Sequence, residues 1–271
     1  MILIVASKKD VASMNIAQQI LEHYDFEETS EVFHEKPVYS KRLREGEAKL
    51  IFVKEEPVYT QYLTDFFTPQ LIVFISRHAS LSGIPTLSVH TPGNLGEAEL
   101  GGIAKKVSIS PASAMKNALL EMAKMKEEKE LKYQVSYECT HHGPSLDMST
   151  MFVELGSSPT QWKDLKAAEA VAHAAMAAIS KESIYPAVLG IGGPHYNMKF
   201  TKMALDTEKA LGHIIPKYMI PRVDAEILEQ CVERTKERLE SAVLDWKGIK
   251  GADKARLTKI LDEIGVPIEK A

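Results

Sequence analysis

The chain of 271 residues carries 33 Lys and Arg against 37 Asp and Glu, a formal net charge of −4. Its 45% hydrophobic and 26% charged residues are globular values and exclude a disordered chain, while the slightly acidic balance excludes a protein that coats nucleic acid through bulk positive charge. Two cysteines far apart, Cys139 and Cys231, do not make a disulfide framework, so a reducing compartment fits.

Met1 leads straight into the apolar run 2–5, which is too short for a signal-peptide core and has no basic region before it. No stretch approaches the roughly 18 apolar residues of a membrane span. A cytoplasmic protein without a membrane partner is expected. Lys and Glu are abundant and Asn, Gln and Cys sparse, a balance that hints at a thermophilic source. No repeat, low-complexity tract or Gly/Ser linker appears, so residues 1–271 are expected to form one domain, with a monomer as the working expectation.

In chain order, the run 2–6 reads as a buried strand. Asp10 then caps a helix whose apolar face is Val11, Met14, Ala17, Leu21 and Tyr24. Segments 31–40 and 49–54 lie too close together for a crossover helix, which predicts antiparallel pairing there. Runs 50–53 and 71–76 are strands. Ser110 and Pro111 read as a cap and a first-turn proline, opening a helix through Met115, Leu119 and Met122 into the charged tail 124–130. Strands are predicted at 133–137, 151–155 and 187–191. Between the last two lies an Ala-rich helix through Leu165, Ala168, Ala172, Ala175 and Ile179. Asp224 starts a further helix with Ile227, Leu228, Cys231, Leu239 and Val243 on its apolar side, and a last helix spans about 253–264. The alternation predicts a three-layer α/β sandwich, a mostly parallel mixed sheet flanked by helices.

The familiar catalytic motifs GxSxG, GxxxxGK[ST] and HExxH are absent. Gly190 and Gly192 begin like a dinucleotide loop, but His195 stands where the third glycine should be. What remains is four loops that follow predicted strands, centred on His78 and His90, on Glu138 to Pro144, on Gly192 to Tyr196, and on Gly212-His213. They hold six of the nine histidines: His78, His90, His141, His142, His195 and His213. Glycine and proline beside them fix the backbone and let it approach a ligand. Imidazoles gathered on rigid loops can act as general acids or bases, or ligate a transition metal. One Gly-Pro-His turn is often only a turn; four such loops at strand ends favour a site.

Adjacent side chains diverge, so only one of His141 and His142 is expected to reach a shared centre. Glu138-x-x-His141 resembles part of a metal-ligand pattern, and equally a carboxylate that accepts from a loop amide. His173 reads as a helix residue, His23 and His34 as surface residues, Cys139 as a small buried side chain, and Met115, Met122 and Met125 as helix core.

The strings SRHASLSGIPTLSVHTPGN at 76–94, ECTHHGP at 138–144, GIGGPHYNMKFT at 190–201 and GHIIPKY at 212–218 resemble the signature blocks of the archaeal- and plant-type D-aminoacyl-tRNA deacylases, and the likeness covers essentially the whole chain. The resemblance implies a phosphorylase/hydrolase-like α/β fold and hydrolysis of the ester between a D-amino acid and the terminal ribose of tRNA, with broad side-chain tolerance. It also implies zinc as cofactor and the acceptor end of tRNA as partner, with no DNA partner. Within it, His141, His142, His195 and Glu138 are the expected catalytic residues. His141 or His142 with His195 are the expected metal ligands, and Glu138 or His213 the third ligand or base. His78, His90, Gly192, Gly193 and Tyr196 are expected to bind substrate, while Lys199, Lys202 and Lys217 would meet phosphates of the acceptor end or remain solvated charges.

The chemistry is consistent with this. Ester hydrolysis needs an activated water and a stabiliser for the developing oxyanion. A histidine can take the water's proton, or zinc can acidify it. Backbone N–H groups of Gly143 or Gly192-Gly193 are candidate oxyanion donors, and Tyr196 or Phe200 could stack on the terminal adenine. The alternatives are a zinc-dependent peptidase or nucleoside phosphorylase-like enzyme on the same fold, and a non-catalytic RNA-binding protein.

Overall fold

The computed structural model of the chain describes residues 1–271. β1 (Ile2–Ser7) serves two cores: Ile4 and Ala6 pack on one side of the sheet, Leu3 and Val5 on the other. This double burial is why the run is continuously apolar. α1 (Val11–His23) begins where the Asp10 carboxylate accepts from the Ser13 N–H, as the sequence predicts. β2 (Glu27–Phe33) and β3 (Lys36–Arg42) form the expected antiparallel edge with β4 (Glu47–Val53), and β4 runs parallel to β1.

Past the short helix α2 (Leu63–Phe66), β5 (Leu71–Arg77) pairs parallel with the other side of β1. β6 (Thr86–His90), α3 (Ala112–Glu128), β7 (Gln134–Tyr137) and β8 (Thr150–Gly156) complete an eight-stranded sheet of order β2-β3-β4-β1-β5-β8-β6-β7. β8 is parallel to β5 but antiparallel to β6, so the strand direction reverses at that junction. After α4 (Pro159–Trp162) and α5 (Leu165–Ser180) come β9 (Ala187–Ile191), α6 (Met198–Asp206) and β10 (Ala210–Ile215). Then follow α7 (Ala225–Glu233), β11 (Leu239–Leu244), α8 (Gly251–Glu263) and β12 (Ile268–Lys270). These last strands form a second, all-parallel sheet of order β10-β9-β11-β12.

The expected mixed α/β architecture, a large mostly parallel sheet flanked by helices, is therefore present, with a second small sheet added. α1, α3 and α5 cover one face of the large sheet. Ala168, Ala172 and Ala175 are buried along α5, and their small side chains let α3 lie close. Leu119 of α3 is fully buried in this layer, where truncation to Ala costs about 2–5 kcal/mol. α3 also packs on β10, so one core runs across both sheets through Leu211, Ile214 and Val243. α7 and α8 cover the far face of the second sheet with Ile227, Leu228 and Leu257. No helix is long and apolar enough to cross a membrane.

Three readings are corrected. The helix after Asp224 ends at Glu233, and Leu239 and Val243 belong to β11; a spacing of four residues marks one face of a strand as well as of a helix. Ser110 does not cap α3, because its Oγ accepts from the Thr91 hydroxyl. The cap arrives from elsewhere in the chain: Glu237 accepts from the Ala112 and Ser113 N–H groups at 3.0 and 2.8 Å. Finally, His90 and His213 lie within strands β6 and β10 rather than on loops.

Candidate active site

The two-residue period of β8 sends Met151, Val153 and Leu155 into the helix-side core and turns Phe152 and Glu154 to the opposite face. Neighbouring strands add to that face in register. Ser76 of β5 pairs with Glu154, and its hydroxyl donates to Glu154 Oε1 at 2.6 Å. His90 of β6 pairs with Phe152 and stacks on it, ring centroids 5.0 Å apart. The loop after β5 contributes His78, and the loop after β7 contributes Glu138, His141 and His142. The loop after β9 is sewn on by backbone bonds, Cys139 N–H to the His195 carbonyl and Asn197 N–H to the Tyr137 carbonyl, which sets His195 and Tyr196 beside the others. A cavity of about 660 Å³ opens over this group.

His78 sits between two buried carboxylates, its Nδ1 3.1 Å from Glu138 Oε1 and 3.6 Å from Glu154 Oε2, and its Nε2 2.8 Å from the Tyr196 hydroxyl. A Cβ on Gly156 would lie 2.6 Å from the His78 ring, so only glycine lets the ring rest there. Burial alone would lower the His78 pKa, but Glu138 and Glu154 outweigh it and raise the imidazole to about 10. His195 bonds Glu138 Oε2 through Nε2 at 3.0 Å, and its Nδ1 lies 3.1 Å from the Tyr218 hydroxyl and 3.2 Å from Cys139 Sγ. Burial again opposes its charge, and Cys139 and Glu138 overcome it, raising His195 to about 10. Burial pushes both carboxylates up, yet the histidines hold Glu138 well below the usual range and Glu154 at about 2. Two imidazolium and two carboxylate charges thus cancel inside the protein, the condition under which buried charge is tolerated.

His141 and His142 are the opposite case. Burial, then neighbouring histidines, hold His141 well below its ordinary value and His142 at about 4. Each donates Nδ1–H to a backbone carbonyl at 2.7 Å, His141 to Cys139 and His142 to Gly143. A carbonyl only accepts, so in the neutral ring that burial favours the proton sits on Nδ1 and the lone pair on Nε2 is free. Contrary to the expected divergence, both rings reach the same centre, with centroids 4.2 Å apart. The reason is the left-handed backbone of His142, φ 41°, which folds the pair together.

Donor atoms within 4.8 Å of one another form three groups that could hold a metal: His90, His141 and His142; Cys139, His141 and His195; and His78, Glu138 and Glu154. The first fits best. His90 is buried with both ring nitrogens lacking a hydrogen-bond partner, an arrangement that costs free energy unless a ligand satisfies them. The backbone carbonyls that bond Nδ1 of His141 and His142 aim each Nε2 and fix the ring, as a hydrogen bond on the far nitrogen does for a metal-binding imidazole.

The structure thus brings together Glu138, His78, His90, His141, His142, His195 and Tyr196. It separates His213, which is fully buried with Nδ1 3.1 Å from the Thr140 hydroxyl and Nε2 donating to the Arg234 carbonyl. With both nitrogens engaged inside β10, His213 is corrected to a structural residue. Two of the three candidate oxyanion donors are corrected: Gly143 N–H goes to the Leu100 carbonyl and Gly192 N–H to the Ile215 carbonyl, whereas Gly193 N–H donates to no other backbone group. Phe200 is fully buried and belongs to the core. Gly193 and Lys217 line a neighbouring cavity, Lys199 pairs with Asp245, and Lys202 is exposed on α6. Sequence reasoning missed Glu154, Ser76, Tyr218 and the participation of Cys139. The lone carboxylate inside the apolar run 151–155 was the available signal for Glu154.

Comparison with known proteins places these observations. A family profile described as D-aminoacyl-tRNA deacylase matches residues 65–269. Curated D-aminoacyl-tRNA deacylases of Thermococcus onnurineus and Pyrococcus abyssi are each 38% identical to the chain, over 97% and 98% of both partners respectively. The one from Methanosarcina barkeri is 34% identical over 99% of this chain and 89% of its own. A crystal structure described as a conserved protein of unknown function matches with a TM-score of 0.89 at 31% identity, over 100% of this chain and 95% of that one.

Proposed function

The chain belongs to the D-aminoacyl-tRNA deacylase family, and on that premise we propose that its histidine–carboxylate centre hydrolyses the ester of D-aminoacyl-tRNA to free D-amino acid and tRNA. The observation that carries the assignment is the convergence of five histidines and two buried glutamates in one cluster, of which His78, His141, His142, His195 and Glu154 line one cavity. The aminoacylated terminal ribose of the acceptor end enters this cavity, the whole chain acts as one unit, and its two unpaired cysteines suit work in the cytoplasm.

His90, His141 and His142 would hold zinc, with His195 and Cys139 beside them. When bound, zinc supplies Lewis acidity that acidifies water and polarises a carbonyl. The chain's own residues do the rest. His78, held protonated by Glu138 and Glu154, gives a proton to the departing ribose oxygen directly or through the Tyr196 hydroxyl at 2.8 Å. His195, protonated and anchored on Glu138, places a second positive charge where the oxyanion develops. Glu138 orients both imidazoliums.

Broad side-chain tolerance is part of this proposal, and the apolar side chains of Val58, Tyr59, Leu81 and Leu100 in the cavity lining support it, because they offer an amino-acid side chain contact without a hydrogen bond it must meet.

The deciding experiment measures release of labelled D-tyrosine from D-tyrosyl-tRNA beside the L-tyrosyl control. The D-ester is expected to be hydrolysed far faster. Equal rates on both would remove this function.

A further inference from the structure

A second cavity, of about 590 Å³, opens at the carboxyl ends of β9, β10 and β11. Ligands of open parallel sheets bind at such ends. Its walls include Gly193, Lys217, Tyr218, Asp245, Lys250 and Asp253. Gly193, φ 75°, belongs to this wall as a glycine because a Cβ there would lie 2.5 Å from the Asn197 amide nitrogen.

The charges in this cavity are uneven. Each carboxylate already has a cation, Asp245 with Lys199 at 2.5 Å and Asp253 with Arg256 at 3.8 Å. Lys217 and Lys250, both exposed, join no ion pair. The surplus is positive although the whole chain is acidic.

Tyr218 joins this cavity to the catalytic centre. Its side chain is 56% exposed, yet its hydroxyl lies 3.1 Å from His195 Nδ1. A phenol ring so pinned at its polar tip offers an apolar face without having to be ordered on binding. An exposed aromatic face beside unpaired lysines binds single-stranded nucleic acid, the ring stacking on a base and the lysines meeting phosphates.

We infer that this second cavity seats the unpaired 3′ nucleotides of the tRNA acceptor end, with a base on the Tyr218 ring and backbone phosphate at Lys217 and Lys250. The inference rests on the deacylase reading of the centre. The ester is carried by the terminal ribose, so the preceding nucleotides must lie against the wall next to His195, and Tyr218 is that wall.

The test is equilibrium binding, measured without turnover, of a small RNA hairpin with a single-stranded CCA 3′ end and of the same hairpin with a blunt end. The double variant Lys217→Ala/Lys250→Ala is expected to weaken CCA-hairpin binding about tenfold and to reduce the slope of log K against log salt by about 1.4, at roughly 0.7 per single-strand phosphate. Tyr218→Leu should weaken it as well, while Tyr218→Phe, which keeps the ring but loses the pin to His195, should bind less tightly than wild type and more tightly than Tyr218→Leu. The blunt hairpin should bind weakly and not respond. An unchanged dissociation constant and salt slope in the double variant would overturn the inference. So would equal weakening toward both hairpins, which would make the lysines a duplex contact. A protein that binds the CCA hairpin through these residues but hydrolyses no D-ester would retain the cavity and lose the deacylase reading, so the two failures are distinguishable.

Discussion

Glu138 and Glu154 face one another across a single imidazole: His78 Nδ1 lies 3.1 Å from the first and 3.6 Å from the second. The proton on His78 favours the ionised form of both carboxylates, beside the His195 imidazole at Glu138 and the Ser76 hydroxyl at Glu154, and the two carboxylates in turn hold that proton on His78.

Replacing Glu154 with Gln therefore bears on the proton that His78 delivers. Ser76 can still donate to the amide oxygen, so the local fold should survive. Turnover should fall on the order of a hundredfold, with the Michaelis constant little changed. Steady-state kinetics beside a thermal melt check this. Loss of activity only in proportion to loss of folded protein would make Glu154 structural.

The histidine loops at strand ends were legible in the sequence because glycine and proline mark backbone that serves a site. The strands 2–6, 50–53 and 71–76 were legible because burial on both faces leaves an unbroken apolar run. Glu154 was not, since a run with one charge still reads as a strand and register decides which face the charge joins. His213 was misread because Gly212 beside it looks like a turn, whereas that glycine is needed where a Cβ would meet Thr235 Oγ1 at 2.7 Å. The Glu237 cap of α3 joins residues 125 and 124 positions apart, beyond the reach of any local pattern.

A metal at His90, His141 and His142 predicts that the purified protein contains about one zinc per chain. Prolonged chelation should stop hydrolysis, and added zinc should restore it. His90→Ala should lose the metal while keeping its circular dichroism spectrum. Full activity in chelated protein free of zinc would leave the neutral imidazoles of His141 and His142 as the bases.

The apolar part of the cavity lining predicts a selectivity change rather than a general loss. With Tyr59→Ala, kcat/KM toward D-phenylalanyl- and D-tyrosyl-tRNA should fall about tenfold, because contacts with a large side chain are lost. D-alanyl-tRNA should be nearly unaffected. A uniform fall across all three substrates would place the amino-acid side chain elsewhere.

The last prediction concerns stability. Burial, and to a lesser degree the Arg234 guanidinium, hold His213 at about 4, with the Arg234 carbonyl opposing. In the unfolded chain a histidine titrates at about 6.5. Above that value both states carry a neutral ring, and the stability contribution is fully present. As pH falls below it, the unfolded chain takes up a proton that the folded protein refuses, so stability rises with pH across this window and is lost as pH drops toward 4. The gap between about 6.5 and about 4 corresponds to about 3.5 kcal/mol at about 1.4 kcal/mol per pH unit. His213→Gln can keep a donor to the Arg234 carbonyl but cannot titrate. It should lower stability modestly at pH 7, and its fall in stability between pH 7 and pH 4.5 should be smaller than that of the wild type by most of that amount. Urea unfolding at the two pH values measures the difference directly. The same drop in both proteins would show that His213 accepts its proton in the folded state, and that the acid sensitivity of the chain originates elsewhere.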